Sequence, residues 1–175
     1  GTPQADEQSL QVVLTRLLKL TSRDVDVVRC DETTRHHVME INTKGPFELA
    51  KACYEPLLQA KGAVINIASV EGVRPARMMS AYAASKAALI SLTKSLAQEW
   101  GPEIRVNVIC PGLTRTKFAE PLWTNDDIVG AVVSHVPLQR IAEPEEISGL
   151  AVFLASAAGS YCTGTAFNVD GGYLI

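Results

Sequence analysis

At 175 residues, 47% hydrophobic and 20% charged, the chain has enough apolar content to bury the core of one domain, and its composition is that of a soluble globular protein. A net charge of −3 offers no basic field for nucleic acid or an anionic membrane, and no apolar run is long enough to span a bilayer. The opening GTPQADEQ does not read as a signal peptide; Cys30, Cys53, Cys110 and Cys162, scattered with no Cys-x-x-Cys, read as free, buried thiols in a reducing, cytoplasmic setting.

Residues 1–9 are polar and lead into a helix. Leu10, Val13, Leu14, Leu17 and Leu18 recur at helical spacing and predict an amphipathic, core-facing helix of about three turns. Asp24 to Cys30, DVDVVRC, reads as a short strand. From Thr34 a helical stretch carries His36, His37 and Glu40 and is predicted to end at Ile41-Asn42, where Asn42 would cap backbone groups. Adjacent histidines do not share a helix face, so these read as surface residues and not as a metal site. The next helix runs through Phe47, Leu49, Ala50, Cys53, Tyr54, Leu57 and Leu58, with Pro56 expected to bend it.

Ala63 to Ile67 is an apolar, β-branched run that predicts a buried parallel strand, and Ser69 lies just past its carboxyl end. Arg74 and Arg77 follow in a loop and read first as surface or subunit-interface residues. A long helix after Ser80 carries Tyr82, Lys86, Leu89, Leu92, Leu96 and Trp100 and stops at Gly101-Pro102. Its alanines (Ala81, Ala83, Ala84, Ala87, Ala88) permit close helix packing. Tyr82 and Lys86 stand i, i+4 on one face, so phenol and ammonium can be neighbours. A nearby cation favours phenolate, which makes a strand-end Ser beside a Tyr-Lys pair a candidate proton-transfer site. A lone Tyr-x-x-x-Lys is most often a solvated surface pair; the strand and the Ser before it set this one apart.

Ile104 to Cys110, IRVNVIC, predicts a second buried strand, closed by Pro111-Gly112 at the carboxyl edge, where open α/β sheets bind ligands. In the stretch Phe118 to Val136, Phe118 and Trp123 are candidate apolar walls, Asp126-Asp127 start a short helix, and His135 reads as a helix-surface residue. Pro144 fits a first helical turn with acidic neighbours, in a helix to about Ser156. Ala166 to Val169 is the last strand. The order strand–helix–strand–helix–strand predicts a parallel sheet with helices on both faces.

Ser69, Tyr82 thirteen positions on and Lys86 four further resemble the Ser-Tyr-Lys constellation of the short-chain dehydrogenase/reductases, as do the surrounding Asn66-Ile67-Ala68-Ser69 and Tyr82-Ala83-Ala84-Ser85-Lys86-Ala87-Ala88. The resemblance extends to Ile41-Asn42-Thr43-Lys44-Gly45-Pro46-Phe47, to Pro111-Gly112-Leu113-Thr114-Arg115-Thr116 and to Val169-Asp170-Gly171-Gly172, and runs from about Asn42 to the C-terminus. It implies an α/β fold with a doubly wound, Rossmann-like parallel sheet, incomplete on its N-terminal side. The chain would be one domain over 1–175, with 1–35 atypical or fragmentary and 36–175 the clear match.

The activity implied is hydride transfer between NAD or NADP and a small-molecule alcohol/carbonyl pair. Tyr82 would be the general acid/base. Lys86 would lower its pKa and bind the nicotinamide ribose, Ser69 would hydrogen-bond the substrate oxygen, and Asn42 would kink its helix and hold a water that links to the Lys. Tyr82 and Lys86, with Pro111, Gly112, Thr114 and Thr116, would contact the cofactor; Thr114 stands where the family usually has Val or Ile, which a backbone contact tolerates. Phe118 to Val136 would be the substrate lid. The two helices around Phe47 and Tyr82 would pair with their copies in a homodimer or homotetramer, and the Val-Asp-Gly-Gly phrase would support folding and subunit contact.

One departure is large. Asp24 to Cys30 looks like the family's fourth strand, but Arg29-Cys30-Asp31-Glu32 replaces the Asn-Asn-Ala-Gly that normally ends it, and no glycine lies between Gly1 and Gly45. The family's three earlier strands and its Gly-x-x-x-Gly-x-Gly turn, which brings backbone close to a pyrophosphate, have no counterpart. The residue that would choose between NAD and NADP is absent with them. Either the chain has half a nucleotide site, or residues are missing at abrupt joins. The second is preferred, because losing three central strands would expose a long strand edge and several helix faces. It predicts Cα separations well above about 3.8 Å within 1–5, 18–25 or 29–35. The rival reading is a non-catalytic scaffold or oligomerisation protein that has lost nucleotide binding; a third is a regulator that binds nucleotide without turnover.

Overall fold

The computed structural model describes residues 30–175. The helix expected over Leu10–Leu18, nearly all of the strand expected over Asp24–Cys30, and the joins sought within 1–5 and 18–25 lie outside the described residues; Asp31 to Arg35 form a continuous helical turn.

Two prolines shape the first helical layer. Helix α1 (Glu32–Met39) starts at Asp31, whose side chain accepts the Thr34 amide at 2.7 Å. It does not end at Asn42 as expected. It passes through a π turn, Glu40–Lys44, directly into α2 (Gly45–Ala52). Pro46 has no N–H to donate to the Asn42 carbonyl four residues back, and its ring crowds that carbonyl, so the helix widens there. Pro56 repeats the effect on Ala52: the single bent helix expected is split into α2 and α3 (Tyr54–Ala60), with Cys53 at φ −92°, ψ 0° between them.

The described sheet has three parallel strands in the order β1 (Ala63–Ile67), β2 (Arg105–Pro111), β3 (Ala166–Val169). Ala63 pairs with Arg105 and Ile67 with Ile109; Val108 pairs with Ala166 and Pro111 with Val169. Helix α4 (Ser80–Trp100) joins β1 to β2, and α7 (Pro144–Ala155) lies between β2 and β3, after the short α5 (Glu120–Trp123) and α6 (Asp126–Val133). Side chains alternate across a strand. Val106, Val108 and Cys110 pack with Leu89, Ile90, Leu96 and Ala97 of α4. Arg105 points the other way and donates from Nη1 to the carbonyl of Leu154 in α7 at 2.8 Å. The two helices therefore cover opposite faces. Because the strands advance in one direction, the two crossovers have opposite hands, so one departs from the usual right-handed rule.

Residues 106–110 of β2 are wholly buried, as the sequence predicts for a strand covered on both sides. β1 differs from expectation. It is only half-buried and Ile67 is 47% exposed, because among the described residues β1 has a neighbour on one edge alone. No helix among the described residues is long and apolar enough to cross a membrane.

Candidate active site

The carboxyl ends of β1 and β2 hold the polar cluster. Ala68 stays tied to β2 through its amide on the Ile109 carbonyl (2.8 Å), and Ser69 then starts a 3₁₀ turn, Val70–Gly72. Ser69 is buried, and its hydroxyl oxygen accepts the Glu71 amide at 3.2 Å, which leaves the hydroxyl hydrogen free to point elsewhere. The turn lies directly on α4. A Cβ at Gly72 would stand 2.8 Å from the Lys86 carbonyl carbon and 2.9 Å from the Ala87 nitrogen, so only glycine lets the loop come this close.

That approach brings Ser69 to the first turns of α4. Lys86 Nζ donates to the Ile67 carbonyl at 3.0 Å and stands 5.6 Å from the centroid of the Tyr82 ring. Burial lowers the Lys86 pKa from 10.5 to about 8. Burial also pushes the Tyr82 phenol up; the Ser69 hydroxyl, a hydrogen-bonding neighbour, pulls it back, and the Glu71 charge adds to the rise. The net result is a phenol held above its usual pKa, with burial the largest cause. One ammonium hydrogen is committed to the Ile67 carbonyl, and burial penalises both charged forms. At neutral pH Tyr82 is a neutral phenol, a proton donor. Cys110, fully buried in β2, has its thiol raised by burial, which leaves it unreactive.

Asn42 is not a helix cap; it lies inside the π turn. Its Nδ2 donates to Ser85 Oγ at 3.1 Å, Ser85 Oγ donates to the Tyr82 carbonyl at 2.7 Å, and Thr43 Oγ1 donates to the Ser85 carbonyl at 3.2 Å. Asn42 therefore reaches the cluster through Ser85, a residue the sequence reading passed over. Its signal is the buried stripe Ser85, Leu89, Thr93, Leu96, in which polar residues sit on the core face. A cavity of about 310 Å³ lies on another side of the π turn, lined by Met39, Glu40, Thr43, Lys44, Phe47 and Leu92, and shares no wall with Ser69, Tyr82 or Lys86.

The loop after β2 faces the same edge. The Gly112 amide donates to the Val169 carbonyl (2.9 Å), and a Cβ there would come within 3.0 Å of Asp170 Cα. Thr114 is buried, with its hydroxyl donating to the Gly112 carbonyl (3.0 Å); among the described residues its amide has no acceptor. Thr116 accepts the Ala119 amide on its hydroxyl and the Trp123 indole N–H on its carbonyl (2.7 Å), while Arg115 lies 5.3 Å over the Trp123 ring and pairs with Glu143 at 3.0 Å. Trp123 is half-buried; Phe118 and His135 are exposed, as is Arg77. Arg74 leans on Tyr173, 5.3 Å over its ring and 3.3 Å from its carbonyl. No group of three metal-ligating side chains forms among the described residues.

The chain is similar to known proteins over most of its length. The model of a family described as enoyl-(acyl carrier protein) reductase matches residues 17–174. The chain is 39% identical over 153 residues to the 3-oxoacyl-[acyl-carrier-protein] reductase FabG of Chlamydia trachomatis, covering 86% of this chain and 61% of that one. It is similar to a gluconate 5-dehydrogenase from Burkholderia cenocepacia, solved with NADP and tartrate (TM-score 0.83, 29% identity, 86% of this chain and 60% of that one). A 4-hydroxyisoleucine dehydrogenase complexed with NADH matches at TM-score 0.81 and 30% identity, covering 97% and 76%. The chain spans about half to three fifths of the length of the curated relatives it matches, 53% and 61% in two of them.

Proposed function

The chain belongs to the short-chain dehydrogenase/reductase family, and from that premise we propose that it interconverts an alcohol and a carbonyl compound by hydride transfer with NAD or NADP. The observation that carries this reading is the pairing of a neutral, half-buried phenol with a half-buried ammonium, 5.6 Å from the ring centroid, that among the described residues has two hydrogens to spare. The described residues fit the nicotinamide end of such a cofactor. Lys86 has donors for a ribose diol beside Tyr82, Thr114 has a free amide for a carboxamide, and Pro111 and Gly112 form a close-packed backbone edge. The Thr116 hydroxyl, used as an acceptor by Ala119, keeps its hydrogen for a phosphate oxygen. No glycine-rich turn for the rest of a dinucleotide lies among them. When bound, the nicotinamide supplies or accepts the hydride.

In the reducing direction Tyr82 gives its proton to the carbonyl oxygen, and Ser69 turns its hydroxyl hydrogen to the same oxygen. Lys86, with a pKa of about 8, is mostly charged at pH 7 and stabilises the phenolate that proton transfer leaves behind. Asn42 holds the relay toward Lys86 in place through its bond to Ser85. Residues 1–175 act as one domain. Phe47 and Leu49, exposed on α2, and the small exposed Ala84 and Ala87 on α4 suit pairing with a second copy, as a homodimer or homotetramer.

Fluorescence titration with NADH and NADPH, followed by a carbonyl and alcohol panel with each, tests the reading. Binding with turnover supports it, binding without turnover makes the protein a nucleotide-responsive regulator, and no binding of either cofactor makes it a scaffold.

A further inference from the structure

We propose that Glu71 is a positioning residue of this site: its backbone amide sets the Ser69 hydroxyl, its side chain hooks the loop between Ser69 and α4, and the loop so held carries its charge toward the helix that bears Tyr82. The inference rests on the reading of Tyr82 as the acid–base group. Glu71 makes both connections at once. Its amide donates to Ser69 Oγ at 3.2 Å, and its Oε2 accepts the Ala76 amide at 2.6 Å, closing residues 71–76 into a ring. The turn beneath is wound by the Gly72 amide on the Ser69 carbonyl (3.0 Å) and by the Val73 and Arg74 amides on the Val70 carbonyl (2.9 and 2.8 Å). Ser69 and the Glu71 carboxylate are therefore parts of one rigid piece, and Gly72 presses that piece onto Lys86 and Ala87 of α4.

Among the described residues no Lys or Arg pairs with Glu71. Of the other charged groups nearby, Lys86 is on the same helix as Tyr82, 5.6 Å from its ring centroid; Cys110 of β2 bears on Lys86, and Asp170 of the C-terminal turn and Lys94 of α4 bear on Cys110. Burial raises the Glu71 carboxyl and the Ala76 amide restrains it, but it is ionised throughout the alkaline range in which a phenol titrates. An anion at this place favours the protonated phenol. It keeps the proton on Tyr82 for carbonyl reduction and delays phenolate formation in alcohol oxidation.

Two variants and two readouts test this without depending on turnover. Glu71→Gln removes the charge but keeps an oxygen for the Ala76 amide; Glu71→Ala removes both. Tyr82 is followed as tyrosinate absorbance, with the same protein carrying Tyr82→Phe subtracted, and the Ala76 amide is followed by hydrogen exchange in NMR. Glu71→Gln is expected to move the Tyr82 midpoint to lower pH with Ala76 exchange changed only a few-fold, whereas Glu71→Ala speeds that exchange about tenfold or more. A Tyr82 midpoint unmoved by Glu71→Gln, or Ala76 exchange unmoved by Glu71→Ala, overturns the proposal. Full turnover by Tyr82→Phe alone would instead remove the acid–base reading and leave these two readouts to be judged by themselves.

Discussion

The two ends of β2 hold buried polar side chains that are satisfied in different ways. At the amino end, Arg105 donates to the carbonyls of Leu154, Ser156, Gly159 and Cys162, and Asn107 gives Nδ2 to the Cys162 carbonyl (2.7 Å) and takes the Thr165 amide on Oδ1 (3.2 Å). The guanidinium gathers the carbonyls that end α7 and the turn after it, a role suited to a cation at a helix C-terminus. At the carboxyl end, among the described residues, Lys86 spends only one of three hydrogens on a protein acceptor. No fully buried side-chain polar atom among the described residues is without a partner, so this is spare capacity and not a packing fault. A polar group whose protein partners exhaust it is architecture. One with capacity left over is a place for a ligand.

Substitutions can break or sharpen that contrast. The largest effect belongs to Tyr82→Phe, expected to cut turnover about 10²- to 10⁴-fold while circular dichroism stays unchanged, in protein carrying a complete nucleotide site. Arg105→Met should cost about 3 kcal/mol in denaturant unfolding, since it leaves several carbonyls at the end of α7 without their donor. Lys86→Met should do the opposite and stabilise the fold by about 1 kcal/mol at pH 7, because a half-buried ammonium with a lowered pKa carries a desolvation cost. Its pH dependence fixes the sign. The unfolded chain holds the Lys86 proton up to about 10.5, whereas the folded protein releases it near 8. Between those values the unfolded state binds more protons, so this group's contribution to stability rises with pH across that window; Lys86→Met should lack that rise. The smallest change tests the middle of the sheet. Thr93→Val removes the acceptor of Asn66 Nδ2 (2.9 Å) and the donor to the Leu89 carbonyl (2.9 Å), and thermal unfolding should report a loss of about 1 kcal/mol. If Arg105→Met and Lys86→Met shift stability in the same direction, the distinction between the two ends fails.

Local pattern made much of this legible. Ala63–Ile67, Ala166–Val169 and the helix from Ser80 to the Gly101-Pro102 stop lie where apolar periodicity and breakers place them. The fold class followed from their order, and the parallel sheet bears it out. Composition and local pattern could not supply effects that depend on what stands across space. The exposure of Ile67 depends on which strand flanks β1. The π turn at Asn42 and the break at Cys53 do have a sequence cause, a proline four residues after the first and three after the second, but the pattern alone does not say whether a helix stops, bends or widens. The rise of the Tyr82 pKa depends on how much of the phenol the surrounding fold takes from water. The Glu71 hook spans five residues of loop and leaves no periodic trace.

Gly72 has a consequence of its own. The gap between the strand-end hydroxyl and the helix bearing the phenol is gauged by a carbon atom that this residue does not have. Any side chain at that position would act as a shim, prying the two carriers apart by tenths of an ångström, with no polar group touched. Proton transfer is steep in distance, so the spacing of the chemistry is held by the smallest residue in the loop.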